Sequence, residues 1–125
     1  MRLEVASDIK KKVGLLVKKL EISHIDPKGI YCFRSFGSKS KARARIWSLP
    51  RIWQMALGIK PGYCIEVLSE KFDKLSNDDK TKVLIHELLH IPKTFSGALL
   101  PHRSRGRVKV DGRTVNRLFK KLNSR

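Results

Sequence analysis

Apolar and polar positions along the chain follow two periods. Ile9, Val13, Leu16, Val17 and Leu20 recur at helical spacing, while Lys10, Lys11, Lys12, Lys18 and Lys19 fall mostly off that stripe. This predicts an amphipathic helix packed on a sheet, with Ser7 as its N-cap and Asp8 in its first turn. Ile30-Tyr31-Cys32-Phe33 reads as a short strand, and Ser35 to Ser40 as a polar, basic loop around Gly37. From Ala42 to Trp47 the alternation is strict: Ala42, Ala44 and Ile46 face one way, Arg43, Arg45 and Trp47 the other. Ser48-Leu49-Pro50 then opens a short helix with Ile52, Trp53, Ala56 and Leu57 as its apolar face, closed by Gly58. Pro61-Gly62 is a turn, and Tyr63 to Ser69 is a strand, either central or at an edge where an extended peptide could add. Ser76, with Asp79 behind it, caps a further helix that runs to about His90 and is stopped by Pro92. A last helix is predicted over Thr114–Leu122, with Val115, Leu118, Phe119 and Leu122 inward. The sum is one α+β domain spanning residues 1–125.

Chemistry enters at Lys82-Val83-Leu84-Ile85-His86-Glu87-Leu88-Leu89-His90, an HExxH motif in an apolar helical run. His86 and His90 are one helical turn apart, so both imidazoles can bind one metal ion. Glu87 stands beside them as a general base for water bound to that ion. A catalytic zinc needs a third protein ligand and an open position. After Glu87 the chain holds no glutamate, and Asp111 is its only further acid. Asp111 sits in a turn-like Val110-Asp111-Gly112-Arg113, so His102 is the best third ligand. His24 has no motif around it and reads as a local or surface residue.

Charge changes the picture again. The net charge is +17, and no acid occurs between Pro27 and Ile65, a span that carries Arg34, Lys41, Arg43, Arg45 and four other cations. Such a field suits non-specific binding of nucleic acid or nucleoprotein, and equally a well-solvated surface. Arg43 and Arg45 with Trp47 could grip a phosphodiester and stack a base, or be an exposed strand face. The two cysteines, Cys32 and Cys64, form no CxxC pair; reduced, mostly buried thiols are expected, with a disulfide as the other option. No apolar run could span a bilayer, and the first residues do not resemble a secretory leader, so the expectation is a cytoplasmic protein with no membrane partner.

Leu84 to Pro92, followed by Gly97 and His102, resembles the small phage-type metallopeptidases of archaea and their viruses, within the zincin-like group. The likeness extends upstream to about Ile30, taking in Arg34-Ser35-Phe36-Gly37-Ser38 and Ile65-Glu66-Val67-Leu68. It implies a small zincin-like domain: a short mixed sheet, a backing N-terminal helix and an HExxH active-site helix. The scaffold is similar to the minimal gluzincins but lacks their downstream glutamate; the long spacer ending in histidine is more similar to SprT-like proteases, which act on DNA-bound proteins. The expected function is zinc-dependent hydrolysis of a peptide or protein, with Zn²⁺ on His86, His90 and His102 and Glu87 as base. Arg103 or Arg105 is a candidate for a second oxyanion donor. The alternative is a basic nucleic-acid-binding module with a structural or vestigial zinc site.

Overall fold

The computed structural model of the chain describes residues 1–102 and 110–124. Four strands and five helices follow one another as β1 (Arg2–Val5), α1 (Ser7–Lys19), β2 (Ile30–Phe36), β3 (Ala44–Ser48), α2 (Arg51–Leu57), β4 (Tyr63–Leu68), α3 (Ser69–Phe72), α4 (Asn77–Leu89) and α5 (Gly112–Asn123). The strands form one mixed sheet in the order β1-β2-β4-β3. β2 and β4 run parallel in its centre, and β1 and β3 are antiparallel edges.

Alternation along the strands separates two faces. Ile30 and Cys32 of β2, Ile65 and Val67 of β4, and Ala44 and Ile46 of β3 point to the face covered by helices. α1 lays Ile9, Val13, Leu16 and Val17 on it, and α4 adds Leu84, Ile85 and Leu88. These residues form one buried cluster, with Ala44 and Ile46 half-buried against it, so truncating Leu84 to alanine would cost about 2–5 kcal/mol. α4 is thereby fixed against the sheet through the residues that flank its histidines. Its start is capped by Ser76 Oγ, which accepts from the Asp79 N–H at 3.1 Å, with Asp78 and Asp79 favourably placed in the first turn.

The other face is largely open, with Leu3, Val5, Tyr31 and Trp47 exposed. Its polar centre is Glu66, which is buried and held by three donors: Arg45 Nε at 2.9 Å, Arg45 Nη2 at 3.2 Å and Trp47 Nε1 at 2.8 Å. Burial opposes the Glu66 charge, and these hydrogen bonds outweigh it and hold the carboxyl below its ordinary range. Arg34 closes the far corner by joining Asp8 of α1 to Asp73 beyond α3.

Several expectations are corrected here. β1 was not predicted as a strand; it forms by backbone pairing with β2, since its apolar Leu3 and Val5 stay exposed. That pairing also carries β2 on to Phe36, so Ser35 is a buried strand residue and not part of a loop. Ala6, not Ser7, occupies the N-cap of α1, its N–H tied to the Cys32 carbonyl as the chain leaves β1. α2 forms as predicted and ends on Gly58 in the left-handed region, yet Ile52, Trp53 and Leu57 are exposed and the helix buries no residue. β4 is central, and the edge strand beside α4 is β3. Asp111 caps α5, accepting from Thr114 N–H at 2.9 Å. Cys32 and Cys64 are free and lie on opposite sheet faces, an arrangement a disulfide could not bridge. No helix among the described residues is long and apolar enough to cross a membrane.

Candidate metal centre

α4 places His86 and Glu87 in its last turn, and His90 is its C-cap residue. One helical turn brings the two imidazoles to a ring-centroid separation of 5.2 Å on the side that faces β3 and the loop 91–102. His102 arrives from that loop. Its ring lies 5.1 Å from His86 and 4.7 Å from His90, and its Nε2 is 3.1 Å from His86 Nε2. One nitrogen from each of the three rings lies within 4.8 Å of the other two. The structure therefore brings together all three histidines singled out by sequence.

Protonation suits metal binding. Burial, reinforced by the two neighbouring imidazoles, pulls His86 down to about 4. Burial also lowers His90, against the opposing hydrogen bond to Leu100. Both rings are therefore neutral near pH 7, as ligands must be. The Leu100 carbonyl accepts from His90 Nδ1, and a carbonyl can only accept, so that nitrogen carries the proton and Nε2 keeps its lone pair. In return the His90 carbonyl accepts from Leu100 N–H at 2.7 Å. Two neutral imidazoles with His102 beside them, and no fourth protein ligand in the cluster among the described residues, fit an open metal site.

Glu87 is 7 % exposed. Burial alone raises its carboxyl to about 8. No hydrogen bond or ion pair to the described residues holds it, in contrast to Glu66. A buried acid kept without a partner is costly to the fold and suits proton transfer near neutral pH. Two clefts meet at His86 and Glu87. One, of about 600 Å³, runs between Ala44 to Ile46 of β3 and Leu99 to His102. The other, of about 480 Å³, runs between Lys41 to Ala44, α4 and the start of α5.

The loop that delivers His102 is held by residues the motif did not reveal. Tyr63 is buried at the start of β4; its hydroxyl donates to the Ala98 carbonyl at 2.7 Å and accepts from Gly97 N–H at 2.9 Å. Gln54 Nε2 donates to the carbonyls of Leu49 at 2.7 Å and Ser96 at 2.9 Å. Gly97 has φ +93°, and a Cβ there would overlap Gln54 and the Leu49 carbonyl. A tyrosine opening a strand right after Pro61-Gly62 was the one available signal, and it carries no mark of a metal site.

The remaining candidates fall elsewhere. His24 is not at the cluster; its Nε2 lies 3.2 Å from the Ile91 carbonyl, just past the end of α4. Asp111 is the α5 cap. The structure divides the arginine pair: Arg45 is bound to Glu66 on the outer face, whereas Arg43 lines the second cleft. Arg103 and Arg105 lie outside the described residues. No curated protein and no solved structure matches the chain. A family model described as a putative phage metallopeptidase matches residues 1–123, which takes in every strand and helix above and all three histidines. The chain belongs to the putative phage metallopeptidase family.

Proposed function

We propose that the protein is a zinc-dependent peptidase that hydrolyses a peptide bond laid across the junction of the two clefts. His86, His90 and His102 would hold the ion, which supplies polarisation of the scissile carbonyl and a more acidic attacking water, its pKa moving toward ~7. Glu87 takes the proton from that water and delivers it to the leaving amine. Its burial keeps its proton affinity high enough for the second half of that task. Leu100 holds His90 in the tautomer that leaves Nε2 to the ion. β3, the edge of the sheet, borders the groove and offers main-chain groups on its unpaired side to an extended substrate. Two free thiols on opposite sheet faces are in keeping with a cytoplasmic setting.

The observation that carries this reading is Glu87, a buried carboxyl without a partner among the described residues, beside three converging imidazoles. A structural zinc site in a nucleic-acid-binding module would need a fourth ligand and would have no use for such an acid. The test is zinc content and hydrolysis of an unfolded protein substrate, for wild type and Glu87→Gln. Wild type should carry about one zinc per chain, and Glu87→Gln should keep it while losing about 10²–10⁴-fold in kcat. Zinc-loaded, folded wild type that cuts no substrate would favour the binding module.

A further inference from the structure

The arginines on the helix-free face and at the α1 corner are committed: Arg34 to Asp8 and Asp73, Arg45 to Glu66. Across Ala44 the situation reverses. Lys41 and Arg43 make no ion pair or side-chain hydrogen bond with the described residues, and with Lys82 they line the cleft that ends at His86 and Glu87. Lys82 is one turn before His86 on α4, and its Nζ lies 4.9 Å from the centre of the Phe119 ring. It forms no ion pair with the described residues, and Asp79 stands three residues before it on α4. Besides Glu87, the one acid among the described residues of the lining is Asp79, two turns from His86 at the other end of the cleft, or about 10 Å along the helix. Three cations gathered in a concavity, beside imidazoles that must also accept a metal cation, raise a potential that an anion would relieve.

We propose that this cleft is a subsite for one acidic side chain, Asp or Glu, of the peptide being cut, held by Arg43 and Lys82 one or two residues from the scissile bond on the α5 side. The identity of the bond rests on the peptidase reading; the anion preference rests on the cleft. A nucleic-acid strand fits it less well. Among the described residues, the lining of about 480 Å³ contains no phenylalanine, tyrosine or tryptophan on which a base could stack, and Asp79 at its end opposes a continuing run of negative charge. Arg43 presents a planar fork suited to a carboxylate, and Lys82 a point charge in the same lining.

The experiment uses peptides that differ by Glu against Gln at each of the two positions on either side of one cleavable bond. Calorimetric titration into zinc-loaded Glu87→Gln measures binding, and chromatography measures cleavage by wild type. At low salt the Glu peptide should bind and turn over about fivefold better at one position. That ratio should fall to about one in Arg43→Gln/Lys82→Gln and reverse toward a Lys-bearing peptide in Arg43→Glu, with zinc content unchanged. Equal cleavage of Glu and Gln peptides at every position removes the subsite and leaves the peptidase. A Glu preference in binding with no cleavage by wild type keeps the subsite and removes the peptidase. Neither binding nor cleavage removes both. A single-stranded oligonucleotide that displaces the Glu peptide at equal concentration, and depends on the same two residues, makes the cleft a phosphate site and overturns the proposal.

Discussion

His86 and His90 reach the candidate metal centre by a different route from His102. The first two need nothing beyond the helix that bears them. A spacing of four residues puts both rings on one face, and the neighbours Leu84, Ile85 and Leu88 drive that helix against the sheet. Their geometry is a by-product of core packing, and it survives as long as the core does. His102 stands at the end of a loop with no core residue beyond Gly97 to hold it. Its approach depends on directed polar contacts: Tyr63 to Gly97 and Ala98, Gln54 to Ser96, Leu100 to His90 in both directions. The helix arm is held by area, which tolerates small changes. The loop arm is held by hydrogen bonds, and losing the Tyr63 hydroxyl leaves the buried Gly97 N–H unmatched.

The strongest test of that contrast removes one ligand from each arm. His102→Ala and His86→Ala should each weaken zinc by at least about a hundredfold, as read by competition with a chromophoric chelator. Only the His102 variant should keep wild-type thermal stability without metal, because its ring is exposed whereas His86 is half-buried on α4. Equal loss of metal-free stability in both would break the distinction.

A separate effect should come from Glu87 in the metal-free protein. Its carboxyl has an ordinary value of 4.5 and is raised to about 8 in the fold. The folded state therefore holds a proton that the unfolded state gives up, and stability from this group falls as pH rises from about 4.5 to 8. Glu87→Gln cannot ionise, so without metal it should exceed wild type by up to about 4 kcal/mol at pH 8 and converge with it near pH 4. Denaturant melts at the two pH values would show this. His86 works in the opposite direction, its stability contribution being lost as pH falls below 6.5 toward 4, and it is common to both proteins. A wild type as stable as the variant at pH 8 would mean that Glu87 is not desolvated on the helix arm.

Least in size is Tyr63→Phe. It keeps the ring, and hence the edge contact with Phe95 at 5.2 Å, but removes both hydrogen bonds to the loop. Zinc affinity should fall about tenfold, and metal-free stability by about 1–2 kcal/mol. If zinc affinity stays unchanged while stability falls, the loop finds its position without Tyr63 and the hydrogen-bonded arm is sturdier than its contacts suggest.

What could be read from sequence divides along the same line. The stripe of α1, the strict alternation into β3, the Ser76 cap and the two histidines one turn apart are all local patterns, and each was legible. His102 was found by exhausting the acids downstream, and the structure brings it to the other two. Tyr63, Gln54 and the Leu100 carbonyl were not legible, because their partners lie 34, 42 and 10 residues away along the chain and two of the acceptors are backbone groups. β1 escaped notice because four residues with exposed apolar side chains carry no burial signal. In α2 the apolar stripe was plain and its meaning was not: amphipathic spacing predicts a helix, but it does not predict that a neighbour will cover it. Arg43 and Arg45 looked equivalent until Glu66, 21 residues beyond Arg45, took one of them.

Trp47 gives the edge strand an optical signal of its own. The chain has two tryptophans. The second, Trp53, stands exposed on α2, so Trp53→Phe leaves Trp47 as the sole long-wavelength emitter. Its indole N–H is fixed by Glu66 and its ring lies 5.4 Å from the Arg45 guanidinium carbon, while 53 % of its surface meets solvent. An indole so restrained on one side and wet on the other responds in colour and intensity to whatever settles along β3. A segment pairing along the free edge of β3 would therefore be visible without a label, in apo and metal-loaded protein alike, before any bond is broken.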